Sequence, residues 1–191
     1  PWAGHRQGMY ATAQGNILAG EAVVAGMVAA FEQASGHLSV RLTAALEAGL
    51  AELATLGFEP VPARNLRRRE GLFAGTDRER LDGFHELVAD RSIRAVFFAR
   101  GGHGLLRLLP GIDWELLARE PRAYVGYSDL TPLLDLVVTR LGTVAFHGPM
   151  VAVDLARGLA PEERGSLLDA LAGRDQLAWS GESCWQEGAA R

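Results

Sequence analysis

The chain's 191 residues are 48% apolar, and 19 basic and 23 acidic side chains leave a formal net charge of −4. That balance points neither to nucleic acid nor to an anionic membrane surface as a partner, and the apolar share suits one compact domain, or one domain and part of another. The single cysteine, Cys184, excludes an internal disulfide and is compatible with a reducing compartment, while no apolar run approaches the roughly 18 residues that span a bilayer.

The chain begins at Pro1 rather than Met and ends in "QEGAAR" without a closing signal, so a piece of a longer protein is expected. The opening "PWAGHRQGMYATAQGNILAG" has no hydrophobic period and reads as loop or poorly ordered chain. "EAVVAGMVAAF" is a candidate first strand interrupted by Gly26, although its alanines favour helix. From Leu38 the pattern sharpens. Leu42, Leu46, Leu50 and Leu53 recur at three- and four-residue steps, which predicts an amphipathic helix ended by Gly57. "FEPVP" reads as a short strand. "TDRE", Thr76 to Glu79, has capping-box spacing ahead of a helical face of Leu81, Phe84, Leu87 and Val88.

"IRAVFFAR", Ile93 to Arg100, is a buried-type strand running into Gly101, Gly102 and Gly104. A short helix is expected over Asp113 to Glu120, then the strand "AYVGY", a helix over Asp129 to Leu141 and the strand "TVAFHGP". Pro161 opens a last helix to about Leu171. Strands alternating with helices predict an α/β fold, a mostly parallel sheet with helices on both faces, flavodoxin-like or Rossmann-like. Ligands in that architecture gather at the carboxyl ends of the strands. "RGGHG", "GYSD" and "FHGP" all fall there.

Each of these segments has a structural reading beside a functional one. The glycines fit neither the dinucleotide nor the P-loop fingerprint; they make a tight turn, or they let bare N–H groups face an anion. Ser128 and Asp129 either cap the following helix or form a nucleophile turn, with the N–H of Asp129 beside the attacked carbon. Leu130 departs from the common Gly-x-Ser-x-Gly elbow. A hydroxyl nucleophile needs a base. His147, at a strand end, is the local candidate, with a structural hydrogen bond as its alternative. His103 sits in the glycine segment and is a candidate ligand contact. His85 reads as solvent-facing or core-edge, and His5 and His37 lie in weakly patterned regions. No metal motif is present. Trp179 and Trp185 read as packing at a domain edge.

Taken together, "AGTDRERLDGFHELVADRSIRAVFFARGGHGLLRLLPGIDW", "PRAYVGYSDLTPLL" and "FHGPM" resemble the LD-carboxypeptidase family, which includes muramoyltetrapeptide carboxypeptidases and microcin self-immunity peptidases. The resemblance covers roughly residues 38 to 171. It implies a cytoplasmic, metal-free and cofactor-free serine peptidase, commonly a homodimer. Such an enzyme releases a terminal D-amino acid from murein tetrapeptide-like substrates during peptidoglycan recycling. The nucleophile falls on Ser128 and the backbone oxyanion donors on Asp129 and Gly102. Gly101, His103 and Arg107 are the expected substrate contacts, and Arg100 or Arg107 is the candidate holder of the substrate's terminal carboxylate.

The family's catalytic histidine and glutamate belong to a carboxyl-terminal domain and fall on no position here. The expected organisation is therefore a leader with a candidate first strand over 1–37, the nucleophile-bearing domain over 38–175, and a linker over 176–191. The amino-terminal stretch departs from the family pattern. The chain alone is not expected to turn over substrate. Two other readings stand beside this one: a non-catalytic peptide-binding module of the same fold, and a nucleotide-binding domain using the glycine segment.

Overall fold

A computed structural model of the chain describes residues 2–7, 12–18 and 38–174. Strands β1 (Trp2–Gln7) and β2 (Thr12–Leu18) form an antiparallel pair, with an irregularity in register between Trp2 and Gly4. This corrects the reading of the first twenty residues as loop. Small residues and glycines hide the apolar alternation that marks a strand, whereas the pairing is made by backbone groups, which leave no side-chain period. The candidate strand in "EAVVAGMVAAF" lies outside the described residues, as do Cys184, Trp179, Trp185 and His37.

The remaining elements follow in the expected order. They are α1 (Leu38–Thr55), α2 (Asp77–Ala89), β3 (Ala95–Phe97), α3 (Trp114–Arg119), β4 (Ala123–Gly126), α4 (Thr131–Leu141), β5 (Ala145–His147) and α5 (Pro161–Leu171). Gly57 follows α1 with φ +90°. Thr76 and Glu79 form the predicted capping box of α2: the Thr76 hydroxyl accepts from the Glu79 N–H and the Glu79 carboxylate accepts from the Thr76 N–H. "FEPVP" is not a strand. Pro60 and Pro62 have no N–H to give a ladder, and the segment crosses as unpaired chain, with Phe58 packed on Phe97 at 5.7 Å between ring centres.

β3, β4 and β5 form a parallel sheet in that order. Val96 pairs with Tyr124 and Phe97 with Val125. Alternation across the pleat then sorts the core. Val96 and Tyr124 join Val88, Leu117, Leu133 and Val137 on the face covered by α2, α3 and α4. Val125, with Phe97 and Phe146 packed beside it, joins Leu46, Leu53, Leu155 and Leu167 on the face covered by α1 and α5. Full burial of one such Val or Leu contributes about 1.5–3 kcal/mol.

Three residues of α1 fit it to this sheet. Leu46 enters the core, Gly49 approaches so closely that a Cβ would sit 1.9 Å from the Val151 carbonyl oxygen, and Glu52 binds Arg164 at 2.6 Å. The two-faced parallel arrangement leaves the carboxyl ends of β3, β4 and β5 together, where the glycine, serine and His147 segments emerge.

Candidate active site

β4 ends at Gly126, and Tyr127 remains extended. Ser128 then takes φ +61° and is the one non-glycine residue with positive φ among the described residues. That region costs an L-residue about 1–2 kcal/mol, so the surrounding structure must hold Ser128 in it. A 3₁₀ turn, Ser128–Leu130, leads directly into α4. Neither element receives a side-chain cap hydrogen bond, so the capping role open to Ser128 and Asp129 is not the one taken. Ser128 is exposed.

Asp129 does something the sequence did not suggest. Its Oδ2 accepts from the N–H of Gly104 at 2.9 Å and of Leu105 at 3.0 Å, tying the glycine segment to the serine turn. Gly101 lies against the serine: a Cβ there would come within 3.1 Å of Ser128 Cβ, 3.2 Å of its Oγ and 3.5 Å of the Asp129 nitrogen. Gly102 has open space around it but φ +139°, which L side chains rarely adopt. Gly101 is thus glycine for room and Gly102 for conformation. Gly101, Gly102, Asp129, Arg100, Phe73 and Phe84 all line one mainly apolar cavity of about 360 Å³, a size suited to a small ligand.

His147 stands opposite Gly126 in the parallel register, and its exposed ring lies 5.6 Å from that of Tyr127. No hydrogen bond joins His147 to Ser128 among the described residues. Burial pushes the Tyr127 hydroxyl above its ordinary pKa, and the charge of Asp154 and the hydrogen bond with it push the same way. Asp154 also accepts from the Met150 N–H at 3.0 Å, which holds the segment after β5. His85 accepts from the Asp113 N–H at 3.0 Å and serves to join α2 to α3.

His103 is exposed, with its ring 5.5 Å from Phe73. Arg107 is already engaged: its guanidinium binds Asp77 Oδ2 through Nε at 3.0 Å and Nη2 at 2.8 Å, and lies 5.1 Å from the Phe73 ring centre. Asp77 also receives Arg80, and this hydrogen bond is the chief cause holding its carboxyl below the usual range. Sequence reading missed Asp77, Phe73 and Asp154 as neighbours of the site. Asp77 sits inside a helix-start signal, and the other two carry no local signal at all. Among the described residues no group of three His, Cys, Asp or Glu is placed to hold a metal.

A parallel α/β sheet that projects an exposed, left-handed serine from a strand-to-helix turn has the form of a serine-hydrolase nucleophile turn. The family model for the LD-carboxypeptidase N-terminal domain matches residues 29–148, and the chain belongs to this serine-type carboxypeptidase family. A murein tetrapeptide carboxypeptidase of Pseudomonas aeruginosa is 37% identical over 137 residues, 71% of this chain and 44% of that protein. A probable murein peptide carboxypeptidase of Bacillus subtilis is 38% identical over 110 residues, 58% of this chain and 34% of that protein. The solved structure of MccF in complex with glutamyl sulfamoyl guanosine superposes with a TM-score of 0.64 at 26% identity, covering 70% of this chain and 40% of that one. The chain thus spans less than half the length of these relatives. Residues 1–52 also match a second family, one of unknown function.

Proposed function

We propose that this chain is the nucleophile-bearing part of a serine carboxypeptidase that acts on small murein-derived peptides ending in a D-amino acid. Ser128 attacks the scissile carbonyl. The N–H groups of Asp129 and Gly102 receive the developing negative oxygen, each such donor being worth about 3 kcal/mol in the barrier. Gly101, His103 and the apolar cavity flank the bound peptide. The observation that carries the reading is Ser128 itself: an exposed serine held at φ +61° between β4 and α4, with a glycine pressed against it.

The base and its carboxylate partner are supplied by a second domain, as the resemblance to the family implies, and the working enzyme is a cytoplasmic homodimer. The test joins this chain to the carboxyl-terminal domain of the Pseudomonas relative and measures D-alanine released from murein tetrapeptide. Release is expected, and Ser128→Ala should lower kcat by about 10⁴-fold or more, as loss of a serine nucleophile does. Peptide binding that is unaffected by Ser128→Ala, with no release in either form, would instead identify a binding module.

A further inference from the structure

The chain contains no lysine, so all 19 basic side chains are arginines. Three of them surround the glycine segment. Arg80 has a side chain only 12% exposed, binds Asp77, donates to the Gly104 carbonyl at 3.4 Å and lies 4.6 Å from the Phe73 ring centre. Arg107 is held by the same Asp77 and the same ring. Arg100 differs from both. It is exposed, lines the cavity together with Gly101, Gly102 and Asp129, and has no hydrogen bond, ion pair or ring contact among the described residues.

Among the described residues, the charges around it leave Arg100 uncompensated. Asp77 is shared by two guanidinium groups, and the Asp129 oxygen that faces the glycine segment already accepts two backbone N–H groups. A guanidinium presents a planar fork that suits a carboxylate. Its place relative to Ser128 follows from the chain. Arg100 directly precedes Gly101, where an added Cβ would come within 3.1 Å of Ser128 Cβ, and consecutive Cα atoms are about 3.8 Å apart. In a peptide cleaved one residue from its end, the terminal carboxylate likewise lies one residue beyond the attacked carbonyl.

We infer that Arg100, rather than Arg107, receives the free terminal carboxylate of the peptide attacked at Ser128, and so restricts the site to the last peptide bond. This rests on the carboxypeptidase reading above and assigns a specificity residue to it. The experiment is calorimetric binding to the chain as it stands, using a murein tetrapeptide ending in free D-alanine and the same peptide with its terminus amidated. The unsubstituted chain should prefer the free acid by about ten- to a hundredfold, the range of a hydrogen-bonded charge pair.

Arg100→Gln should bind both peptides with the affinity of the amide, Arg100→Lys should recover part of the preference, and thermal melting should be unchanged in both because the side chain makes no hydrogen bond, ion pair or ring contact among the described residues. Equal binding of acid and amide by the unsubstituted chain would overturn the inference. So would a preference that survives Arg100→Gln but disappears in Arg107→Gln. Binding of neither peptide would overturn the inference together with the functional reading on which it rests.

Discussion

Ser128 sits in a backbone region that serine disfavours, and the cost is intrinsic to the position. Glycine takes the same angles without that penalty but loses more freedom on folding. The balance predicts that Ser128→Gly stabilises the fold by about 1 kcal/mol in urea unfolding while removing the hydroxyl; a loss of stability would mean that the serine side chain supports the turn. Tyr124 makes a complementary case. It is 1% exposed, and its hydroxyl has no hydrogen-bond partner among the described residues. Burial pushes its pKa up to about 12 from 10.0. A raised folded value means that the unfolded chain ionises first, so this contribution is complete below pH 10 and is lost as the pH rises towards 12. Tyr124→Phe should therefore be neutral to about 1 kcal/mol stabilising at pH 7, and should remove much of the alkaline fall in stability between pH 10 and 12. Thermal melts across that range decide it.

At the scale of elements, the link that matters joins the glycine segment to the turn before α4. The Asp129 carboxylate spans them with two charge-assisted hydrogen bonds. Asp129→Asn keeps the shape and loses the charge, and is expected to cost about 1–3 kcal/mol. Amide exchange at Gly104 and Leu105 should rise more than exchange in β4, and uniform exchange across both would rule out this latch. Much of the surrounding architecture was legible in the sequence because its signals are local: the heptad-like leucines of α1, the Thr76–Glu79 capping box, and Pro161 at the first turn of α5. "FEPVP" misled because an apolar run says nothing about whether its N–H groups exist to be paired. The β1–β2 pair and the Asp129 bridge were not legible for a common reason. Each depends on which backbone groups a residue meets, across a short hairpin in the first case and far along the chain in the second, and no period in the sequence records that. The site itself was half legible. Gly101, Gly102, Ser128 and Asp129 lie close together at the ends of β3 and β4, whereas the engagement of Arg107 by Asp77 required the fold.

For the molecule as a whole, the limits of the family matches do not coincide with the physical units. The match to the family of unknown function ends at residue 52, within α1, and overlaps the carboxypeptidase match from residue 29. Yet Leu46, Gly49 and Glu52 are the residues by which that helix is seated on Val151, Arg164 and the second core cluster. A shortened version begun just after residue 52 would follow the sequence bookkeeping and discard most of the helix that closes one face of the sheet. The severed surface would bare Leu155 and Leu167 to water and leave Arg164 without its counter-charge. Anyone grafting this α/β domain onto another scaffold must therefore carry residues 38–52 along with it, whichever family they match.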